Sequence, residues 1–197
     1  MSRLLALCAV AGLVAAASGA ITPIGQFSGT YKEGWEKHAT GLFLPQLTAF
    51  DGQATANQVG SGQGLHVTTG WTYYYTTYPH GGSKFMGPTY GIGVRWEFAV
   101  PALRFGGFFT TNYQSSGATA KFFDAQNNLL ATLPVKAMAG NSAWGWDGWE
   151  CDPPVKYIEI WSDWGAGHIM HDDLEYTPVP EPATLSLLAL ALLLRRR

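Results

Sequence analysis

The stretch Val94-Arg95-Trp96-Glu97-Phe98-Ala99-Val100 decides the fold class, because its apolar and polar side chains alternate. Successive side chains of a β-strand point to opposite faces, so the apolar residues at 94, 96, 98 and 100 share one face, and Arg95 and Glu97 share the other. The pattern predicts a half-buried strand. We expect Pro101 to end it, because proline cannot donate a ladder hydrogen bond.

Further runs that favour strands lie on both sides of this stretch, and no run shows sustained helical periodicity. Asp124-Ala-Gln-Asn-Asn128 separates two apolar runs and predicts a hairpin, since Asp and Asn tolerate turn geometry. Roughly eight to ten short strands with glycine-rich connections predict an all-β fold, an antiparallel β-sandwich of jelly-roll type. The other predicted strands cover residues 41–50, 64–69, 71–78, 103–111, 118–123, 129–135, 155–161 and 169–176.

The first twenty residues predict a secretory signal peptide. Arg3 precedes an almost unbroken apolar run over residues 4–17, and the small residues Ser18-Gly19-Ala20 follow it. The run is shorter than the roughly 20 residues that a transmembrane helix needs. We therefore expect an N-terminal signal helix, cleavage between Ala20 and Ile21, and the export machinery and signal peptidase as partners.

The last residues combine a proline-rich stretch, an apolar segment and an arginine cluster. Val179-Pro180-Glu181-Pro182 should be stiff and extended, because proline fixes φ and lacks an amide donor. Residues 183–194 predict a hydrophobic helix of roughly 18 Å, against a hydrocarbon core of about 30 Å, so it would insert only marginally into a membrane. The terminal cations predict a cytoplasmic C-terminus, and they are Arg195, Arg196 and Arg197.

These three elements, in this order, resemble the PEP-CTERM sorting signal of Gram-negative bacteria over residues 179–197. The resemblance implies that Pro180, Glu181, Pro182 and the terminal arginines form a tag for an exosortase, a membrane enzyme that cuts near Pro-Glu-Pro. It also implies export, a transient anchorage in the inner membrane, and then a place at the cell surface or in the extracellular matrix. A GPI-type tail is the alternative, but it has a polar spacer and does not end in arginines.

The chain therefore divides into a signal peptide at 1–20, a β-sandwich domain at 21–177 and a sorting tail at 178–197. The domain contains thirteen Asp and Glu against eight Lys and Arg, without a basic cluster, so we do not expect a nucleic-acid partner. All eight Trp, nine Tyr and ten Phe lie in it, which is typical of a secreted β-sandwich. Once Cys8 leaves with the signal peptide, Cys151 has no disulfide partner, and we expect a buried thiol.

The densest aromatic cluster is Trp144-Gly-Trp146-Asp-Gly-Trp149-Glu-Cys-Asp152. On an extended backbone Trp144 and Trp146 face the same way, and exposed indoles stack on sugar rings while carboxylates accept hydrogen bonds from hydroxyls. The candidate ligand-binding residues are Trp144, Trp146, Asp147 and Trp149, with surface polysaccharide as the candidate ligand. The alternative is that these rings fill the core. A second aromatic run, residues 71–78, leaves the same two options open.

Metal-capable side chains occur in His168-Ile-Met-His171-Asp172-Asp173. The two histidines face opposite sides of a strand and form no zinc signature. Asp172 and Asp173 are candidates for a structural Ca²⁺ site completed by backbone carbonyls. They supply only part of a shell of six to eight oxygens, and the alternative is a pair of solvated carboxylates. No other cofactor is expected.

A second resemblance concerns the middle of the chain. Four segments, in their order, are similar to galactose-binding-like sandwiches, including carbohydrate-binding modules. The resemblance implies a jelly-roll fold and assigns no functional residue. The four segments are Leu103-Arg-Phe-Gly-Gly-Phe108, Phe123-Asp124-Ala125, Ile158-Glu159-Ile160 and Asp172-Asp173-Leu174.

Catalysis has little support in the sequence. It contains no Gly-x-Ser-x-Gly elbow, no His-Glu-x-x-His helix and no phosphate-binding glycine loop, and nothing indicates two carboxylates that face each other across a cleft. We therefore expect a non-enzymatic envelope or matrix protein whose sandwich binds exopolysaccharide. The alternatives are a secreted hydrolase that acts on such polymers and a structural surface protein without a ligand.

Overall fold

The computed structural model describes residues 19–60, 64–89, 93–113, 117–162 and 167–180. Within these ranges the chain forms β-strands and one single-turn 3₁₀ helix, Phe50–Gly52. The strands are β1 Ile21–Ile24, β2 Tyr31–Glu33, β3 Gly41–Phe43, β4 Leu47–Ala49, β5 Ala54–Val59, β6 Leu65–Thr68, β7 Phe85–Pro88, β8 Gly93–Thr111, β9 Ala118–Phe123, β10 Leu129–Pro134, β11 Met138–Ala139, β12 Gly145–Ser162 and β13 Ile169–Pro178.

Two long antiparallel strands, β8 and β12, run through the whole fold and take part in two sheets. The first half of β8 pairs with β5 and its second half pairs with β13. In the same way, the second half of β12 pairs with β9 and its first half pairs with β1. The first sheet has the order β10-β9-β12-β8-β5-β4. The second has the order β1-β12-β8-β13-β7-β6-β3, with β2 beside β13 and the short β11 parallel to β8.

Rings from the two sheets meet in the core. Trp96 and Phe105 lie on opposite halves of β8, yet their ring centroids are 5.7 Å apart. Phe122 of β9 and Trp149 of β12 approach to 5.4 Å. The two halves of each long strand therefore belong to facing layers, and the predicted all-β antiparallel sandwich is confirmed.

The prediction that Pro101 ends a strand is wrong, because β8 continues through it. Pro101 lies at a shift in register, between the pairing of Glu97 with Tyr157 and that of Ala102 with Val155. Its missing N–H therefore removes no regular ladder bond, while its carbonyl accepts the N–H of Val179 at 3.0 Å. Proline here marks the point where the strand passes from one sheet to the other.

The predicted hairpin at Asp124 is confirmed, since β9 and β10 pair and Asp124 Oδ1 accepts the N–H of Gln126 at 2.9 Å. The predicted strand at 41–50 is divided into β3, β4 and the start of the 3₁₀ helix. The predicted strand at 71–78 is wrong. Only Trp71 and Thr77 form an isolated bridge, and the residues between them bond to neighbouring loops.

The two ends of the chain are described in part. The predicted signal helix and C-terminal hydrophobic helix lie outside the described residues, as do Glu181, Pro182, Arg195, Arg196 and Arg197. Ala20 is exposed, and Ile21 begins β1 opposite Cys151. Pro180 is exposed beyond the end of β13. Within the described ranges, no helix has the length and apolar character needed to span a bilayer.

Candidate functional site

A row of three side chains crosses the outer face of the second sheet. Trp146 of β12 pairs with Phe108 of β8, which in turn pairs with Asp172 of β13. Directly paired residues of adjacent strands project to the same side of a sheet. The rings of Trp146 and Phe108 meet edge to face, with centroids 5.3 Å apart and an angle of 70° between the planes.

Trp146 lies over two paired glycines, Gly106 and Gly148. A Cβ on Gly148 would lie 3.2 Å from Trp146 Cζ2, and a Cβ on Gly106 would lie 3.0 Å from the same atom. The two glycines thus leave free the space that the indole occupies. Phe27 lies beside the indole over Gly148 and meets it edge-on, with centroids 5.8 Å apart. The indole is therefore half-buried in a defined position.

His80 extends the row of rings. Its imidazole stacks on Phe108, with centroids 3.5 Å apart and an angle of 16° between the planes. Asp172 Oδ2 accepts the N–H of His80 at 2.8 Å, and His80 Nδ1 lies 2.7 Å from Asp173 Oδ2. Trp144 approaches His80 edge-on at 6.3 Å. Two aspartates of β13 therefore fix the loop that brings His80 to this face.

Asp172 is fully buried behind the loop, and desolvation, with the charge of Asp173 as a further cause, raises its pKa to about 7. Its oxygens accept backbone N–H groups from His80, Gly81 and Asp173, and thus already have donors as partners. Among the described residues, no group of three or more His, Cys, Asp or Glu side chains is placed to hold a metal ion. Asp172 and Asp173 therefore anchor the loop that carries His80. This geometry does not support the calcium hypothesis.

An open groove with a volume of about 270 Å³ lies beside this row. The partly exposed ring of Phe108 is its main apolar surface, and Leu174 lies fully buried beneath it. The polar residues that line it are Gln26, Lys32, Glu33, His80, Asp173 and Glu175. The combination of a ring surface with several polar groups is typical of a small-molecule or sugar site.

Carboxylates outnumber cations in the groove. Lys32 Nζ lies 3.0 Å from Glu175 Oε1, and Glu175 Oε2 accepts the N–H of Gly29 at 2.7 Å. The Glu33 side chain is buried and accepts the N–H groups of Trp35 and Phe50. The side chain of Asp173 is 39% exposed, so it is the rim carboxylate most open to a ligand. The groove thus presents hydrogen-bond acceptors and an acidic surface.

The residues predicted from the tryptophan cluster divide between the surface and the core. Trp144 and Trp146 are half-buried on the outer face. Trp149 is fully buried and stacks on Phe105, and Asp147 points inward to accept the N–H of Lys136, with its pKa raised by burial. This placement corrects the expectation for Trp149 and Asp147, since alternation along β12 turns them away from the face that carries Trp146.

Sequence reasoning missed Phe108, His80, Lys32 and Glu175 as site residues. They come from distant parts of the chain, and only the register of β8 with β12 and β13 brings them together. One local signal was present. Gly106 and Gly107 immediately precede Phe108, and glycine inside a strand often marks a close approach of other groups.

The fold and this surface define a two-sheet β-sandwich module with an open aromatic groove and a carboxylate rim on the outside of one sheet. No protein-family model matches the chain, and no curated protein matches it. Among solved structures, the chain is similar to the K2 cleaved adhesin domain of Lys-gingipain, with 12% identity and a TM-score of 0.51 over 75% of this chain and 97% of that one. At this identity the similarity concerns the fold alone.

Two carbohydrate-binding modules show weaker similarity. One belongs to family 61 and was solved with β-1,4-galactotriose, with 14% identity and a TM-score of 0.40 over 74% of this chain and 94% of that one. The other belongs to family 29, with 13% identity and a TM-score of 0.35 over 84% of this chain and 98% of that one. Scores at this level transfer no site residue and no ligand to the chain.

Proposed function

We propose that the sandwich is a non-catalytic module that binds a neutral polysaccharide in the groove beside Phe108. The observation that carries this proposal is the row of rings formed by Trp146, Phe108 and His80, next to the rim carboxylates Asp173 and Glu175. A pyranose ring offers an apolar face to an aromatic ring and hydroxyl donors to a carboxylate. Both complements are present side by side in this groove.

The charges of the groove favour a neutral polymer over an acidic one. Lys32 is the cation that lines the groove, and its ammonium is already paired with Glu175. A uronic acid would bring a further negative charge close to Asp173 and Glu175, and like charges at such distances are unfavourable. Uncharged hexose units avoid this cost and still supply hydroxyl donors.

The arrangement of the carboxylates supports binding without hydrolysis. A glycoside hydrolase needs two carboxyl groups on either side of the scissile bond, one of them an acid with a raised pKa. Asp172 has a raised pKa, but it is buried and bonded to the backbone of His80 and Gly81, out of reach of a ligand in the groove. The exposed carboxylate of Asp173 is paired with His80.

The binding proposal predicts a specific effect of Trp146→Ala. Isothermal titration of neutral oligosaccharides should give an affinity at least about tenfold lower than that of the unchanged protein, or roughly 1.4 kcal/mol. Trp161→Ala is the matched control, because Trp161 is also half-buried but lies on the first sheet under Lys121. Equal losses in both variants, or no binding by the unchanged protein, would contradict the proposal.

We further propose that the module is exported and sorted to the envelope surface by an exosortase that reads residues 178–197. The proline-rich stretch, apolar segment and arginine cluster support this proposal, as does the end of β13 at Pro178, which leaves Pro180 exposed. Mass spectrometry of the surface protein should find its C-terminus near Pro180 to Pro182. An intact Arg197 in the surface protein would contradict processing.

A further inference from the structure

We infer that the loop at residues 71–78 is a second subsite for the same neutral polysaccharide, so that one polymer chain extends from the groove at Phe108 to the rings of Tyr73 and Tyr74. This inference rests on the proposed function of the groove. It adds a binding surface at a distance from Phe108 and makes the ligand a chain of several sugar units.

The loop exposes a patch of packed aromatic rings. Tyr73 is 58% exposed and Tyr74 is 59% exposed. Their ring centroids are 4.2 Å apart, and the ring of Tyr113 lies 4.4 Å from that of Tyr74. Single apolar side chains on a surface are ordinary, whereas a contiguous patch of rings indicates an interaction site.

The loop is held in a defined conformation from both flanks. Asn112, which is fully buried, donates from Nδ2 to the carbonyl of Tyr73 at 2.9 Å. On the other flank Asn141 Oδ1 accepts the N–H of Thr76 at 3.0 Å. Tyr74 has φ = 64°, in the left-handed region that large side chains rarely adopt. A strained conformation persists only where its surroundings enforce it, so the rings are presented in advance of binding.

A continuous series of contacts connects the loop with the groove. Trp144 donates from Nε1 to the carbonyl of Tyr78 at 3.0 Å, and its ring approaches His80, which stacks on Phe108. Tyr78 is itself 59% exposed. From Phe108 to the end of β8 at Thr111 the extended backbone covers roughly 10 Å, and Tyr113 lies two residues further along the chain. The path is therefore long enough for several linked sugar rings.

The chemistry of the loop matches the ligand proposed for the groove. Residues 70–78 contain only Gly, Trp, Thr and Tyr, so the loop offers rings and hydroxyl groups and carries no charge. A surface for anionic lipid would place Lys or Arg around its apolar anchors, and this loop has none. An uncharged polyhydroxyl polymer is the occupant that suits both surfaces.

The experiment compares affinity with ligand length. The full chain is titrated with size-fractionated fragments, from dimer to octamer, of the neutral exopolysaccharide of the producing cells. In the unchanged protein we expect at least a tenfold gain in affinity from dimer to octamer, because the second subsite adds to the first. Tyr73→Ala combined with Tyr74→Ala should remove this gain and leave dimer affinity unchanged. Leu129→Ala, an exposed apolar residue on the first sheet, is the control and should change neither value.

The variant Tyr74→Gly distinguishes the loss of the tyrosine ring from an unfolding of the loop. Glycine accepts the positive φ without strain, so this variant removes the ring while it keeps the backbone path, and it should also lose the length gain. A length gain that persists in both variants overturns the inference and leaves the groove proposal intact. Failure of every fragment to bind the unchanged protein instead overturns the proposed function. Loss of binding to phosphatidylglycerol vesicles in the tyrosine variants, without any effect of length, would assign the loop to lipid and likewise overturn the inference.

Discussion

Gly106 and Gly148 show how two missing side chains determine the position of a third. A Cβ on Gly106 would lie 2.7 Å from the carbonyl oxygen of Asp147 and 2.8 Å from Gly148 Cα, both backbone atoms that cannot move without the sheet. A Cβ on Gly148 would instead meet atoms of Trp146 and Phe27 at 3.2 to 3.3 Å. Those atoms belong to two half-buried side chains, which can shift by a few tenths of an ångström more readily than the backbone of a sheet.

We therefore predict that Gly148→Ala leaves the fold intact and displaces the indole of Trp146. Affinity for neutral oligosaccharides should fall several-fold, and tryptophan emission should shift as the ring changes its contact with water. Fluorescence titration measures both effects. Gly25→Ala is the control, because a Cβ there would have no atom within 4 Å. Unchanged binding in Gly148→Ala would show that the position of this ring is irrelevant to the ligand.

Within β13, neighbouring residues on opposite faces have pKa values displaced in opposite directions. His171 is fully buried beside Trp96 and Phe109, and desolvation lowers its pKa to about 3 from an ordinary value of 6.5. Asp172, on the other face, has its pKa raised to about 7 from 3.8. Among the described residues, neither ring nitrogen of His171 has a hydrogen-bonding partner.

The signs of these shifts predict how stability depends on pH. A lowered pKa means that the contribution of His171 is present above pH 6.5 and is lost as the pH falls toward 3, because the unfolded chain binds the proton more readily. The contribution of Asp172 is present below pH 3.8 and is lost as the pH rises through 7. The two slopes therefore oppose each other between about pH 4 and 6.5.

The substitution His171→Phe removes the pH dependence of stability that His171 contributes. The stability of the variant relative to the unchanged protein should improve as the pH is lowered from 7 to 4, by an amount on the order of a few kcal/mol at most. Urea denaturation at both pH values measures the difference. A difference in stability that does not vary with pH would show that His171 is not the group responsible for acid sensitivity.

At the level of elements, alternation in the sequence predicts strands well and predicts their continuation poorly. Val94 to Val100 and the hairpin at Asp124 follow their patterns, because burial of one face dominates both. Pro101 misleads, because the strand changes partners there and needs no N–H at that residue. Tyr73 and Tyr74 favour a strand by propensity, yet Asn112 and Asn141 hold them in a loop. In both places the backbone conformation depends on contacts with residues that are distant in the sequence. The local sequence pattern therefore cannot predict it.

The same limit explains what could be predicted of the site. The sequence predicts Trp146 as a candidate binding residue from the tryptophan cluster around it. It also leaves open that Trp149 packs in the core. The pairing of Trp146 with Phe108 and Asp172 could not be predicted, because it depends on the register of three strands that are far apart in the chain. His80 belongs to a loop far away in the sequence, which hydrogen bonds to Asp172 and Asp173 of β13 hold at the site.

At the scale of the whole molecule, the reactivity of the Cys151 thiol shows whether the sandwich is folded. The thiol is free and fully buried opposite Ile21, and desolvation raises its pKa to about 12, with the charge of Glu150 as a lesser cause. A buried thiol that stays protonated reacts poorly, since the thiolate is the nucleophile. Reaction with a thiol reagent therefore requires that the fold open first.

We predict that a chain beginning at Ile21 is labelled by iodoacetamide at pH 8 only when a denaturant is present. Mass spectrometry counts the label, and the labelling rate should follow the denaturation curve. Ser28→Cys combined with Cys151→Ser is the control, because residue 28 is exposed and should react in the folded protein. Rapid labelling of Cys151 without denaturant would contradict the buried position and mean that β1 does not protect this part of the sandwich.

Strand β13 leaves the sandwich from the interior of a sheet, with β8 on one side and β2 and β7 on the other. The N–H of Val179 still bonds to Pro101 beyond the strand's end. Tension applied at the C-terminal side acts along the strand axis, so the hydrogen bonds on both flanks resist together in shear, whereas an outermost strand would peel away bond by bond. If the protein is held at this end while fluid flows past it, the whole strand has to slide before the domain unfolds.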